Sequence, residues 1–307
     1  MKKINFISAA ALVFLSLGIS TSAQNVISIK ADKSTRPLIE KWVEAYKNVK
    51  PDVNIEIVSG KNAQADLTLV TTETDDANII YVGRYALLPV TTVDNPLIDD
   101  IQKHEWKEKD LKSLFFVADD IDDEYDNSKS RKNNLANKLT VYSGNSRTSA
   151  SATFAAKFDH NATEFRGKRI AGDDVFLLSA ISSDKEAVTF SSLTNIYDLQ
   201  TRTLRSNLAL LPLNVKKNLS EALAHGTLDD VISIVENQDN DLVAVSDFGF
   251  AYNTINNFTD AFLSWIINDG QAYNNANGFL RLSAKDAQTQ LYAIDSHQAK
   301  LLARNNK

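Results

Sequence analysis

The stretch NVISIKADKSTRPLIEKWVEAYKNVKPDVNIEIVSG, residues 25–60, indicates the class of fold. Its first six residues predict a strand, and DVNIEIVSG at its end predicts a second strand closing on Gly60. Between them, one helix face carries five apolar residues at helical spacing: Leu38, Ile39, Trp42, Val43 and Tyr46. Ser34 or Thr35 is the candidate N-cap, and Pro37 follows where a missing N–H is harmless. A strand, a capped helix and a strand predict a parallel α/β sheet.

Similar patterns follow along the chain. Strands are predicted at ADLTLV (65–70), NIIYVGRYALLPVT (78–91), LTVYSG (139–144), AVTF (187–190), NLALLPLN (207–214) and DLVAVSDFGFAYN (241–253). Amphipathic helices are predicted within 105–116, from Ala150 to Phe158, and over 228–237. RIAGDD (169–174) predicts a loop before another helix, and the apolar helix after residue 257 is expected to end in a turn at Gly270.

The segment DDIDDEYDNSKSRKNN, residues 119–134, is first acidic and then basic. A calcium loop is one interpretation, but the carboxylates lack the order and the glycine of an EF-hand. A solvated surface loop is the favoured alternative.

Residues 1–23 have the anatomy of a secretory signal peptide. Lys2 and Lys3 precede an apolar run, and small residues end at Ala23, the expected cleavage position. A membrane anchor is the alternative, but the apolar run is short for a span. Cleavage would remove both lysines and change the formal net charge from −6 to −8. We therefore expect a soluble, exported protein with no membrane insertion after cleavage.

The composition excludes several classes of function. An acidic chain disfavours nucleic acid and anionic membranes as partners. The absence of cysteine removes disulfides, thiolate nucleophiles and cysteine–zinc sites. No nucleophile elbow, phosphate-loop lysine or dinucleotide fingerprint is present, and the histidines have no metal-ligand spacing: His104, His160, His225 and His297. We expect no catalytic residue, no cofactor and no metal, and hence no enzyme.

Hydroxyl side chains instead collect where predicted strands lead into helices. SGNSRTSASATF, residues 143–154, packs several of them around Arg147, and similar turns follow the first two strands. Each turn is either a helix cap or an anion-binding turn, because helix N-termini present unpaired N–H groups and partial positive charge. In open α/β sheets such turns meet outside the carboxyl ends of strands. Together they favour a cage for a tetrahedral oxyanion.

At this point the sequence resembles the phosphate-type substrate-binding proteins of ABC transporters, in the periplasmic binding protein superfamily. The similarity extends over most of the mature chain. It is carried by STRPLIEKWVEAYKNVKPDVNIEIVSG, ADLTLV, LLPVTTVDNP, WKEKDLKSLFF, VYSGNSRTSASATF, NLALLPLN, FGFAYN and FLSWIINDGQAYNNANGFLRL. The resemblance implies a periplasmic α/β protein of two lobes, each a mixed β-sheet flanked by helices. Residues 24–88 and 246–307 would form lobe I, and residues 89–245 lobe II.

The resemblance also implies a ligand set. Eight residues correspond by position to ligand residues of the family: Ser34 and Thr35 in the first turn, Ser59 and Gly60 in the second, Thr71 after the third strand, and Arg147, Thr148 and Ser149 in the second lobe. The chain departs from the family in three respects. Only KNAQ separates Gly60 from the next strand, so a helix is missing; Thr71 stands where a charged residue is usual; and Arg147 and Ser149 replace glycines. Arg147 would either supply a bidentate charge or block the turn.

Three functions are compatible with these observations. The first is an exported solute-binding protein that captures phosphate or a related oxyanion for uptake through a membrane transporter complex. The second is a ligand-binding-deficient accessory or interaction module of an envelope transport system, suggested by the missing helix. The third, an exported hydrolase, is disfavoured because no nucleophile is recognisable.

Overall fold

The computed structural model describes residues 25–31, 33–60, 63–71, 78–117, 135–144, 150–171, 175–252 and 256–305. The predicted signal peptide and the polar segment 119–134 lie outside the described residues. Nine strands are present in these ranges: β1 Asn25–Lys30, β2 Val53–Val58, β3 Leu67–Val70, β4 Asn78–Thr92, β5 Thr140–Gly144, β6 Lys168–Ile170, β7 Ala187–Ser192, β8 Leu208–Leu210 and β9 Ala244–Tyr252.

The helices of the described residues flank these strands. They are α1 Arg36–Val49, α2 Ile98–Lys103, α3 Glu108–Phe115, α4 Leu135–Lys138, α5 Ala150–Lys157, α6 Val175–Ser183, α7 Leu193–Ile196, α8 Lys217–His225, α9 Leu228–Asn237, α10 Asn257–Trp265, a π-helical segment Ile266–Gly270, α11 Ala272–Ala276 and α12 Ala284–Asn305. The five apolar residues predicted to face inward from α1 are all buried. The helices predicted within 105–116 and over 228–237 form α3 and α9, and their apolar faces are likewise buried: Leu111, Leu114 and Phe115 in α3, and Leu228, Val231, Ile232 and Val235 in α9.

The strands form one mixed sheet in the order β2-β1-β3-β9-β4-β7-β5-β6, with β8 also pairing β4. Strand β1 is parallel to β2 and β3, and β5 is parallel to β6 and β7, whereas the pairs of β4 with β7, β8 and β9 and of β3 with β9 are antiparallel. The long strand β4 joins the two halves. It pairs with β9 from Asn78 to Leu87 and with β7 from Leu87 to Thr91. The mixed α/β class implied by the resemblance is confirmed.

One local expectation was wrong. Residues 168–170 form the edge strand β6 rather than part of a loop, because they pair with β5. The helical run from Asn257 ends at Gly270 as predicted, but its last five residues are π-helical, and a turn at Gln271 leads into α11. The Trp42 indole N–H of α1 donates to the Gly270 carbonyl at 2.9 Å.

Candidate functional site

Strands β1, β2 and β3 are parallel, so their carboxyl ends lie at the same edge of the sheet. Lys30, the last residue of β1, lies opposite Val58 of β2 and Thr68 of β3. The chain segments that follow these strands therefore leave from the same edge. This is the edge where open α/β sheets hold ligands.

A cavity of about 220 Å³ lies between the start of α1 and residues 175–199 from the middle of the chain. Ser34 lies on its wall, beside the first turn of α1. Its lining residues come from three places: Lys33, Ser34, Pro37 and Leu38; Val175, Thr194, Asn195 and Leu199; and Asn277 with Phe279. The cavity thus lies between residues that the sequence assigns to different lobes.

Thr35, the residue after Ser34, is buried. It is 1% exposed, and its carbonyl accepts from the Ile39 N–H, so it sits at the start of α1. No acidic residue stands in the first turn of α1. The partial positive charge of the helix start is therefore not offset by a carboxylate of that turn.

Ser59 and Gly60 lie at the same sheet edge but do not line the cavity. Both are exposed. Gly60 has φ +119°, a conformation that favours glycine, and a Cβ there would meet nothing within 4 Å. Their role as ligands stays a prediction. The second turn is exposed to solvent.

Thr71 is linked to both halves of the molecule through Tyr85. The Tyr85 hydroxyl lies 3.1 Å from the Thr71 carbonyl oxygen and 2.6 Å from Oγ1 of Thr153 in α5. A carbonyl only accepts, so the Tyr85 proton goes to Thr71 and the Thr153 hydroxyl donates to Tyr85. The sequence analysis missed Tyr85. The signal that the sequence offered was a tyrosine, with its polar hydroxyl, within the apolar run of β4.

Arg147, Thr148 and Ser149 lie outside the described residues, within 145–149. The residues on either side of this segment are tightly fixed. The Gly144 N–H donates to Oγ of the fully buried Ser151 at 2.6 Å. The end of β5 and the start of α5 are therefore held together.

Two polar networks join the segment after β9 to the middle of the chain. Arg202 donates to Asp229 at 3.1 Å, and to the carbonyls of Asn275 and Ala276 at 2.8 and 3.0 Å. These carbonyls lie at the carboxyl end of α11, where a cation is favourable. The hydrogen bond from Arg202 lowers the pKa of the Asp229 carboxyl.

The second network centres on Glu236, whose side chain is 6% exposed. Its carboxylate accepts from the Arg281 guanidinium at 2.9 Å, from the Arg281 backbone N–H at 2.6 Å and from the Asn275 amide at 2.7 Å. Burial alone would raise the pKa of Glu236, but these hydrogen bonds outweigh it and hold the pKa below its ordinary value.

No group of three or more His, Asp or Glu side chains in the described ranges could hold a metal ion. No helix in the same ranges has the length and apolarity needed to span a bilayer.

Comparison with known proteins shows the fold. No protein-family profile matches the chain, and no curated protein matches it in sequence. Among solved structures, it is similar to a protein from Clostridium perfringens described as a phosphate ABC transporter substrate-binding protein with bound phosphate (TM-score 0.56, 16% identity, 84% of this chain and 100% of that one). It is also similar to an ABC-type phosphate transport receptor from Vibrio cholerae (TM-score 0.52, 12% identity, 84% and 100%). The chain therefore has the two-lobed fold that these binding proteins share, as the sequence resemblance implied.

Proposed function

We propose that this protein is an exported, periplasmic solute-binding protein that captures phosphate or a related oxyanion between two lobes for uptake. In this proposal, residues 24–88 and 246–307 form one lobe of the protein, and residues 89–245 form the other. A membrane transporter complex receives the solute. The protein performs no catalysis.

One observation carries the proposal: the cavity between the start of α1 and the other half of the chain. Ser34 supplies a hydroxyl on its wall, and Lys33 supplies a positive charge. A helix start without an acidic residue in its first turn favours an anion there. Two solved structures with a similar fold are described as phosphate transport proteins, which supports the same class of ligand.

The remaining ligands of the proposal come from the turns at the same edge. Thr35 lies at the start of α1, and Thr71 directly follows β3. Arg147, Thr148 and Ser149 are assigned by sequence position. Arg147 would supply the charge that the family places after the third strand.

Calorimetry tests the proposal on protein purified without phosphate buffers. Phosphate, sulfate and molybdate are titrated into the exported form, and we expect saturable heat with at least one. Ser34→Ala should weaken that binding about tenfold or more, because a hydrogen bond to a charged group is lost. Ser206→Ala, at an exposed position, is the matched control. No heat and no thermal shift with all three anions would exclude anion capture.

A second function is favoured by the second turn. Ser59 and Gly60 are exposed and lie outside the cavity lining, as a clamp that has lost a ligand turn would show. The alternative is a ligand-binding-deficient accessory or interaction module of an envelope transport system. Arg147→Ala distinguishes the two. It should abolish anion binding if the clamp works, and it should leave the accessory activity unchanged if it does not.

A further inference from the structure

The wall of the 220 Å³ cavity offers apolar contacts that an oxyanion alone would leave unused. Half of its lining side chains are apolar: Pro37, Leu38, Val175, Leu199 and Phe279. The cavity is open to solvent, and a phosphate ion alone would leave its apolar lining in contact with water.

Two of the three polar side chains on the far side of the cavity, Thr194 and Asn277, have close hydrogen-bond partners within the protein. Thr194 Oγ1 lies 2.7 Å from Ser192 Oγ, and the Asn277 amide donates to the Tyr273 carbonyl at 2.9 Å. That side therefore offers mainly apolar contact. Lys33 and Ser34 stand at the opposite side, where the negative end of a ligand is favoured.

The far wall is also closely packed. Gly278 has φ +78°, and a Cβ there would lie 3.1 Å from both Thr194 Cγ2 and Leu199 Cδ2. Asn277 and Phe279 are thus held directly against the segment that follows β7. A packed wall of this kind presents a fixed shape to a ligand.

We propose that the ligand of this cavity is a tetrahedral oxyanion that carries a short apolar substituent, such as an alkylphosphonate or an alkyl phosphate monoester. The anionic head lies at Lys33 and Ser34, and the substituent lies against Pro37, Val175 and Leu199, the apolar lining residues that keep accessible surface. This inference rests on the proposed function, whose anion it extends by one apolar group.

Calorimetry with four probes tests the inference: inorganic phosphate, propylphosphonate, propyl phosphate and 1-propanol. Each buried methylene improves affinity about fourfold, so we expect propylphosphonate or propyl phosphate to bind at least tenfold more tightly than phosphate. We expect 1-propanol not to bind. The phosphonate and the monoester distinguish the two sources of the same headgroup.

Val175→Phe fills the cavity from the start of α6, and should remove this advantage while phosphate binding remains. Val49→Phe, at a position 53% exposed on the far end of α1, is the matched control. If thermal unfolding shows that Val175→Phe has not folded, Leu199→Phe fills the same cavity from the other side.

The outcomes separate the two proposals. Phosphate binding as tightly as the propyl compounds would overturn the apolar substituent and leave oxyanion capture intact. A propyl advantage that survives both filling variants would place the substituent elsewhere and also overturn the inference. If none of the anions binds, oxyanion capture itself fails, and the inference fails with it.

Discussion

Tyr85 shows how one side chain connects distant parts of this chain. It is 5% exposed in β4, and its hydroxyl joins the end of β3 to the first turns of α5. Because Thr153 donates to Tyr85 and Tyr85 donates to Thr71, the two hydrogen bonds polarise each other. The segment 145–149, which holds the predicted second-lobe ligands, directly precedes α5. Tyr85 therefore holds the end of β3 and the start of α5 in a fixed relation, and each is adjacent in sequence to predicted ligand residues.

Tyr85→Phe should lower the free energy of unfolding by about 1 to 2 kcal/mol, because Thr71 and Thr153 lose a buried partner. It should also weaken oxyanion binding, since the end of β3 and the start of α5 are no longer held in one arrangement. Urea denaturation and calorimetry measure the two effects separately. Tyr292→Phe, at a residue 64% exposed, is the control and should change neither. Lower stability with unchanged affinity would show that Tyr85 has no positioning role.

At the scale of elements, α1 is fixed by the π-helical segment as well as by the sheet. The fully buried Trp42 donates to the Gly270 carbonyl, and a Cβ at Gly270 would lie 3.2 Å from the indole nitrogen. Gln271 then donates to the Val82 carbonyl of β4 at 2.7 Å and accepts from the Leu282 N–H at 2.9 Å. Gly270 and Gln271 thus connect α1 to strand β4. Because the first turn of α1 lines the cavity, they also fix that part of the cavity wall.

Trp42→Phe should cost about 2 to 4 kcal/mol of unfolding free energy. It removes buried volume and leaves the Gly270 carbonyl without its indole donor. Circular dichroism during urea denaturation measures the cost without depending on tryptophan emission. Trp265→Phe is the matched control: this half-buried ring stacks on Phe262, and its loss should cost about 1 kcal/mol. Equal costs for the two variants would contradict the anchoring role of Trp42.

At the scale of the whole molecule, the Arg202 and Glu236 networks hold the segment after β9 against the middle of the chain. They lie next to Asn277 and Phe279, which line the cavity. If the predicted lobes move relative to each other, these hydrogen bonds and ion pairs should keep this part of the contact between the lobes together. Their carboxylates also make the free energy of unfolding depend on pH.

Glu236→Gln should lower the free energy of unfolding by about 1 to 2 kcal/mol at pH 7, because the half-exposed Arg281 moderates the loss. The pKa of Glu236 is lower in the folded protein than in the unfolded chain. Its contribution is therefore complete above the unfolded pKa of about 4.5 and is lost as pH falls through the folded pKa.

Urea denaturation at pH 7 and at successively lower pH should show the difference between wild type and Glu236→Gln shrinking as the solution becomes acidic. Glu221→Gln removes an exposed pair with Lys217 at 3.7 Å and should change stability by less than about 0.5 kcal/mol at every pH. A difference for Glu236→Gln that stays constant with pH would show that the ion pair is not its source.

The sequence by itself determined the elements whose signal is local. The inward faces of α1, α3 and α9 follow from apolar residues at helical spacing, and the main strands follow from short apolar runs between turns. The mixed α/β class and the resemblance in fold follow from the order of these elements. Periodicity identifies them because burial of one face requires it.

Only the tertiary structure decided the features that depend on partners far along the chain. Sequence periodicity did not indicate that β6 is a strand, that Gly270 belongs to a π-helical segment, or that Tyr85 joins Thr71 to Thr153. Nor did it indicate that Ser34 faces Val175 and Phe279 across a cavity while Ser59 lies exposed. Each depends on contacts between residues that are distant in sequence, and such contacts leave no local pattern because packing, not spacing, creates them.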